Sequence, residues 1–148
     1  MRPTVLFVGQ APGRRSLFPF MGKSGHALAR LLGVQYADMF DRFGLMNIVE
    51  EWQGKQGKGD RFDVRGLACR ESVTENAAAF RGIVLCGKRV AKACQIDAEY
   101  LDVFDFDGKK AMILPHPSGV NRWWNDADDA RRARKRLRTF VSRMGKAA

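Results

Sequence analysis

An α/β layer fold around a mainly parallel sheet is what this sequence predicts, and three observations carry the prediction. Short apolar runs recur along the chain as Val5-Leu6-Phe7-Val8, Ile83-Val84-Leu85-Cys86 and Met112-Ile113-Leu114, the lengths expected of buried strands. Segments of helical character alternate with these runs, which is the pattern of strands joined by crossover helices. Two of the runs stop abruptly in Pro/Gly-rich turns, Gly9-Gln10-Ala11-Pro12-Gly13 and His116-Pro117-Ser118-Gly119-Val120-Asn121-Arg122. Ligands of open parallel sheets bind at the carboxyl ends of the strands, where such turns sit. The two turns are therefore expected to meet over one cleft.

The elements follow in order. Residues 4–9 read as the first strand. Ser24 to Leu32 reads as a helix with Ala27, Leu28, Leu31 and Leu32 on one face, and Gly33 stops it. A second apolar run covers 44–49. The glycine-rich, basic stretch Gln53 to Arg61 reads as a flexible surface loop. Ser72 to Phe80 carries the capping-box spacing of Ser72 and Glu75 and reads as a helix. A strand at Ile83 to Cys86 leads into a helix over Lys88 to Ala93. Tyr100 to Asp107 and Lys109 to Leu114 flank Asp107-Gly108, a hairpin turn before the last strand. Asp126 to Met144 reads as a long basic helix, with Leu137, Phe140, Val141 and Met144 on its buried side.

Length and charge bound the function classes. The 148 residues suit a single domain, 1–148, with one core and no internal repeat. Nothing resembles a membrane-spanning run, and the apolar start at Val5 is too short for a signal peptide, so a soluble, cytoplasmic chain is expected. Three cysteines (Cys69, Cys86 and Cys94) without a C-x-x-C pair argue against a disulfide framework and a zinc site. Cys86 and Cys94 read as core residues and Cys69 as a thiol in a loop or at a helix edge. Lys and Arg number 26 against 16 Asp and Glu, a net charge of +10 that favours a polyanionic partner. The run Arg131 to Arg138 spreads its charges over several helix faces, so most of them are expected to form a solvated exterior.

The pair of turns resembles motifs one and two of the uracil-DNA glycosylase superfamily. GQAPG, with Phe18-Pro19-Phe20-Met21-Gly22-Lys23-Ser24-Gly25 after it, is similar to the first motif of the thermostable iron–sulfur branch. HPSGVNR is similar to the second motif of the mismatch-specific branch, with the histidine usual elsewhere in the superfamily. Leu45-Met46-Asn47-Ile48-Val49 resembles the strand whose asparagine reads the base, and Ile83 to Ala93 resembles the family's strand-to-helix step. The likeness runs in the family's order over residues 5–124. It implies a three-layer α/β/α domain on a four-stranded parallel sheet in the order 2-1-3-4. It also implies a monomer that acts on uracil or another deaminated base in DNA, by flipping the nucleotide out of the stack. No metal or organic cofactor is implied, because the iron–sulfur branch's four cluster cysteines are absent.

Cleavage of an N-glycosidic bond leaves an oxocarbenium-like sugar and an anionic base, and preorganised donors to that anion are usually the largest electrostatic contribution. By resemblance, His116 donates to the base O2 as its charge grows; alone, a histidine after a strand could equally be a capping or core residue. Asn47 ends an apolar strand, where an unsatisfied amide is costly. Its amide can accept from a uracil N3–H and donate to O4, and the resemblance makes it the specificity residue. Phe20 is the ring that the resemblance stacks on the flipped base, with Phe18 as competitor; such stacking is worth about 1–3 kcal/mol per base. Gly9, Ala11 and Ser118 belong with them to the base-binding loops, and Gly9, Gly13 and Gly22 let backbone approach the substrate closely.

The first loop departs from the family at its chemical centre. The iron–sulfur branch has glutamate where Gln10 stands; the branches with aspartate or asparagine one residue later have it where Ala11 stands. Gln10 can hold a water but cannot take its proton near neutral pH, so hydrolysis is expected to be slow. For DNA, Val120 matches the wedge that fills the gap left by an extruded nucleotide, beside Gly119, Asn121 and Arg122. Lys23, Lys55, Lys58 and Arg61 are the candidate phosphate contacts, and of Trp123-Trp124 one ring is expected to pack under the loop. The expected protein is thus a base-excision-repair glycosylase with Gln10 and His116 as its catalytic pair. A homologue that binds DNA or a base without excision is the alternative. An unrelated α/β protein holding a phosphate ligand at the first loop is a third reading, although the loop lacks both common phosphate-binding glycine spacings.

Overall fold

The computed structural model describes residues 3–10, 18–49, 55–56, 59–60, 66–118 and 121–146. In chain order the elements are β1 (Val5–Gly9), α1 (Lys23–Leu32), α2 (Tyr36–Arg42), β2 (Gly44–Asn47), β3 (Lys55–Gln56) and β4 (Gly59–Asp60). They continue with α3 (Leu67–Asn76), β5 (Gly82–Cys86), α4 (Lys88–Ala93), β6 (Val103–Phe106), β7 (Lys109–Leu114) and α5 (Ala127–Lys146). The main sheet has the order β2-β1-β5-β7-β6. Its first four strands are parallel and reproduce the order 2-1-3-4 that the resemblance implies. The difference is a fifth strand: β6 pairs antiparallel with β7 through the Asp107-Gly108 turn and forms the edge. Tight hairpins give antiparallel neighbours, so this edge was written into that dipeptide.

Alternation of side chains across the pleat divides the interior into two cores. Val5, Phe7, Val84, Cys86, Met112 and Leu114 face one way and pack with Leu28 of α1, Met39 of α2, and Leu137 and Phe140 of α5. Leu6, Val8, Ile83, Leu85, Ala111 and Ile113 face the other way and meet Val73 of α3 and Val90 and Ala91 of α4. Helices on both faces make the three-layer α/β/α arrangement. The central strands β1 and β5 are buried at every position, which is why they read as unbroken apolar runs.

Several expected elements shift. The helix expected at 72–80 is α3, which starts after Gly66 and ends at Asn76, before a short 3-10 turn at Ala77–Ala79. Ser72 therefore lies inside the helix and forms no cap. Cys69, Val73 and Ala77, spaced by four, are the buried stripe that sets its register. Cys69 is accordingly a core thiol of a helix rather than a loop or edge residue. The stretch read as a flexible loop contains the antiparallel two-residue ribbon of β3 and β4. The helix α2, whose only fully buried residue is Met39, was not anticipated. Gly33 stops α1 as expected, with a left-handed φ of 71° and its N–H donated back to Arg30 O. No helix among the described residues is long and apolar enough to cross a membrane.

Candidate functional site

Parallel strands end at one pole of the sheet, and the ends of β2, β1, β5 and β7 bring together the segments singled out in the sequence. The register sets Gly9 beside Asn47, and the ladder continues past the strands: Ile48 N–H donates to Gly9 O (3.0 Å) and Val49 N–H to Gln10 O (3.0 Å). On the next pair, Gly87 N–H donates to Leu114 O at 2.7 Å, which ties the step after β5 to the end of β7. Gln10, Asn47 and His116 thus all hang from the same edge, and each is half-buried.

The first half of the site is made by close packing at Gly9. A methyl group there would stand 2.6 Å from Asn47 Oδ1 and 3.3 Å from Phe20 Cζ. Only a residue without a Cβ lets the asparagine amide and the phenylalanine ring close over the end of β1. The Asn47 and Gln10 side-chain amides make no hydrogen bond among the described residues. Phe20 is nearly buried and has a φ of +60°, a left-handed conformation that a bulky residue rarely adopts. Two devices hold it. Gly25 passes so close that a Cβ there would overlap Phe20 O, and Gly22 N–H donates to Tyr36 Oη at 3.1 Å. The Tyr36 ring in turn stacks on His26 with centroids 3.8 Å apart. Phe18 is excluded from this cluster; it is exposed and packs edge-on against Phe40.

The second half is made by hydrogen bonds to one carbonyl. His116 O accepts from Ser118 N–H (2.8 Å), Asn121 Nδ2 (3.0 Å) and Trp124 Nε1 (2.8 Å). Asn121 Oδ1 also accepts from Trp123 N–H, at 3.2 Å. The loop after β7 is thereby wound around the His116 backbone, and the imidazole is left with no hydrogen bond among the described residues. A Cβ on Gly87, whose φ is +109°, would come within 3.3 Å of His116 Cβ, so the step after β5 walls the histidine on one side. Burial lowers the imidazole's pKa from its ordinary value, and the positive charge of Arg89 lowers it further. The ring is therefore neutral at neutral pH and carries one N–H donor.

Placement of the remaining candidates is uneven. Ser118 lies in the wound loop and Asn121 spends its side chain inside it; Arg122 is exposed in the 3-10 turn Arg122–Asn125. Both tryptophans are half-buried against the core and edge-on to each other at 4.9 Å, so both pack where one was expected to. Lys23 opens α1 and is exposed. Lys55 falls in the β3 strand, while Ala11, Gly13, Lys58, Arg61, Gly119 and Val120 lie outside the described residues.

Four positions that hold the site received no such role from the sequence: Gly25, Tyr36, Gly87 and Trp124. Gly25 and Gly87 stood within the quoted motifs; the Tyr36 and Trp124 contacts span 14 and 8 residues and leave no periodic signal. Beside the His116 loop, a groove of about 690 Å³ runs between α1 and α5. Lys23, Arg30 and Arg134 line it over an apolar floor that includes Leu31 and Trp124. Arg134 comes from the basic run read as exterior, and from the same run Arg138 donates from Nε to Leu31 O (2.8 Å), capping the end of α1.

The fold and these loops define an α/β/α protein that gathers Gly9, Gln10, Asn47, Gly87 and His116 at the carboxyl ends of its parallel strands. Its sequence matches the family model of the uracil DNA glycosylase superfamily over residues 1–140, and the chain belongs to that superfamily. Comparison with curated proteins gave no match.

Proposed function

We propose that this chain is a DNA glycosylase that draws uracil, or a related deaminated base, out of DNA and hydrolyses its N-glycosidic bond. The observation that carries the reading is that the Asn47 amide, packed against Gly9 and Phe20, and the neutral His116 imidazole stand at the same end of the parallel strands, both without a hydrogen bond among the described residues. Superfamily membership supports the same class of reaction.

In this reading Asn47 accepts from the base N3–H and donates to O4, a pattern that uracil offers and cytosine does not. The ring of Phe20 gives the base an apolar face. As the C1′–N1 bond breaks, its electron pair goes to the base, and the neutral His116 N–H donates to O2, where negative charge collects. Neutrality matters, because the donor need not lose a proton and its charge does not add to that of Arg89. The three donors on His116 O keep the imidazole from moving as charge develops. Gln10 orients the water whose oxygen bonds to C1′; the water's proton passes to solvent, from which the departed base is reprotonated. With an amide in place of a carboxylate, the enzyme lacks the 10²–10⁴-fold typical of a positioned base and turns over slowly.

One observation favours a second reading. Gln10 stands where a carboxylate would activate water, so the cleft also suits a protein that holds the base or its DNA without excision. Gel-based excision on single- and double-stranded DNA containing uracil, hypoxanthine or xanthine decides between them. Time-dependent, alkali-labile cleavage at one of these bases is expected; stable binding with no cleavage after hours at enzyme excess would leave the binding module.

A further inference from the structure

We infer that the recess between α5 and the β6–β7 hairpin is a second binding site for the phosphodiester backbone of DNA, separate from the cleft. On a helix, Arg132, Arg136, Thr139 and Arg143 follow one another at steps of four, three and four, and so form one stripe with Lys135 beside it. Ala133, Leu137 and Phe140 are buried on the sheet, while Arg134 and Arg138 turn toward α1. The basic run is therefore sorted by the helix into two flanks, and only one of them borders the cleft groove.

The other flank closes over a recess of about 590 Å³. Its cationic lining is Arg132, Lys135, Arg136 and Arg143 together with Lys110 of β7, and no carboxylate among the described residues lines it. Among these five, Arg132 alone forms an ion pair among the described residues, with Asp129 at 3.3 Å. Asp105, opposite Lys110 in the hairpin register, is not within ion-pair distance of it. Four like charges that form no ion pair among the described residues surround one concavity and repel one another, and binding a polyanion relieves that repulsion. Phe140 and Leu101 give the recess an apolar floor against which sugar faces can pack.

Position separates this site from the cleft. Lys110 lies near the start of β7 and His116 beyond its end, so roughly 20 Å of extended chain lies between them. A DNA segment held in the recess need not be the one whose base enters the cleft. Two DNA-facing poles on one chain let it bridge two duplex segments, or hold one while it samples another.

The choice of DNA rests on the proposed partner but not on excision, so the test uses uracil-free duplex and reads binding alone. A biotinylated 30-base-pair duplex on beads is mixed with the protein and a fluorescent duplex, and co-capture is measured. In parallel, the salt dependence of binding to the fluorescent duplex is recorded by anisotropy. The wild type should co-capture the second duplex. The triple variant Lys135→Gln/Arg136→Gln/Arg143→Gln, all at exposed positions of a helix that glutamine favours, should bind one duplex but lose co-capture. Its salt slope should fall by about 2–3, as expected when about three phosphate contacts go. The charge-preserving Lys135→Arg/Arg136→Lys/Arg143→Lys should behave as wild type. A wild type that never co-captures, or a glutamine variant that keeps both co-capture and slope, overturns the inference. So does protein captured by phosphatidylglycerol vesicles in preference to duplex, with that capture lost in the glutamine variant. A failure of excision would leave this result untouched, because no step of the assay uses it.

Discussion

The two halves of the cleft are held by different physics. Around Gly9 the parts are fixed by contact: a Cβ on Gly9 would stand 2.6 Å from Asn47 Oδ1, and one on Gly25 would overlap Phe20 O. Around His116 they are fixed by hydrogen bonds, three of them converging on a single carbonyl. Contact packing fails abruptly when an atom is added, since interiors leave no room to move. A hydrogen-bonded loop loses one support at a time. The half proposed to recognise the base should therefore be intolerant of small additions, and the half proposed to stabilise charge should degrade in graded steps.

Deleting the donor itself is the largest expected effect. His116→Ala should lower single-turnover excision of uracil by about 10²–10³-fold, the loss typical of one oxyanion donor. Anisotropy should show DNA affinity little changed, because the side chains proposed to meet phosphates are left intact. Adding a methyl in the other half comes next. Gly9→Ala drives a carbon into Asn47 Oδ1, and a misplacement of that order should cost excision about 10²-fold by displacing the amide from the base edge. Should Gly9→Ala keep wild-type rates and base preference, the close-contact half of the comparison breaks.

Removing one support of the histidine loop should be milder. Trp124→Phe deletes the Nε1–H donor to His116 O while two others remain, so the midpoint in urea should shift by about 1 kcal/mol of stability. Excision should fall only a few-fold. A collapse of activity as deep as that of His116→Ala would show the loop to be no more graded than the packed half.

The smallest effect is on pH. With its folded pKa below the ordinary value, the imidazole binds a proton less readily folded than unfolded. Its contribution is neutral above the unfolded pKa of about 6.5 and becomes a growing loss as pH falls from there to the folded pKa. Denaturant midpoints should therefore decline below pH 6.5 in the wild type, and less steeply in His116→Gln. Parallel profiles for the two proteins would remove the burial argument.

How legible this molecule was in its sequence divides along the same line. Buried stretches of parallel strand must be apolar at every position, so β1, β5 and the last four residues of β7 announced themselves, and the turns after β1 and β7 pointed to the site. Glycines in those turns were visible as a residue type, but their reason was not: Gly9 and Gly25 are demanded by atoms of Asn47 and Phe20 that only the fold brings near. Ser72 misled because a capping spacing is a local signal, whereas burial of Cys69, Val73 and Ala77 is a tertiary one and decided the helix start. The sequence assigns packing to one of Trp123 and Trp124, and both rings pack; that the Trp124 N–H also pins His116 depends on a turn that winds back eight residues. The basic run looked uniform along the chain, and the helix sorted it into two flanks that face different grooves.

The central claim is that this cleft performs base excision and is limited by the missing carboxylate at position 10. Single-turnover excision of uracil from a labelled oligonucleotide, by the wild type and by Gln10→Glu side by side, tests it most directly. Slow but measurable cleavage by the wild type is expected, with a rate about 10–10³-fold higher in the glutamate variant, within the range of a positioned general base. Equal rates in the two proteins, or no cleavage by either, would contradict it.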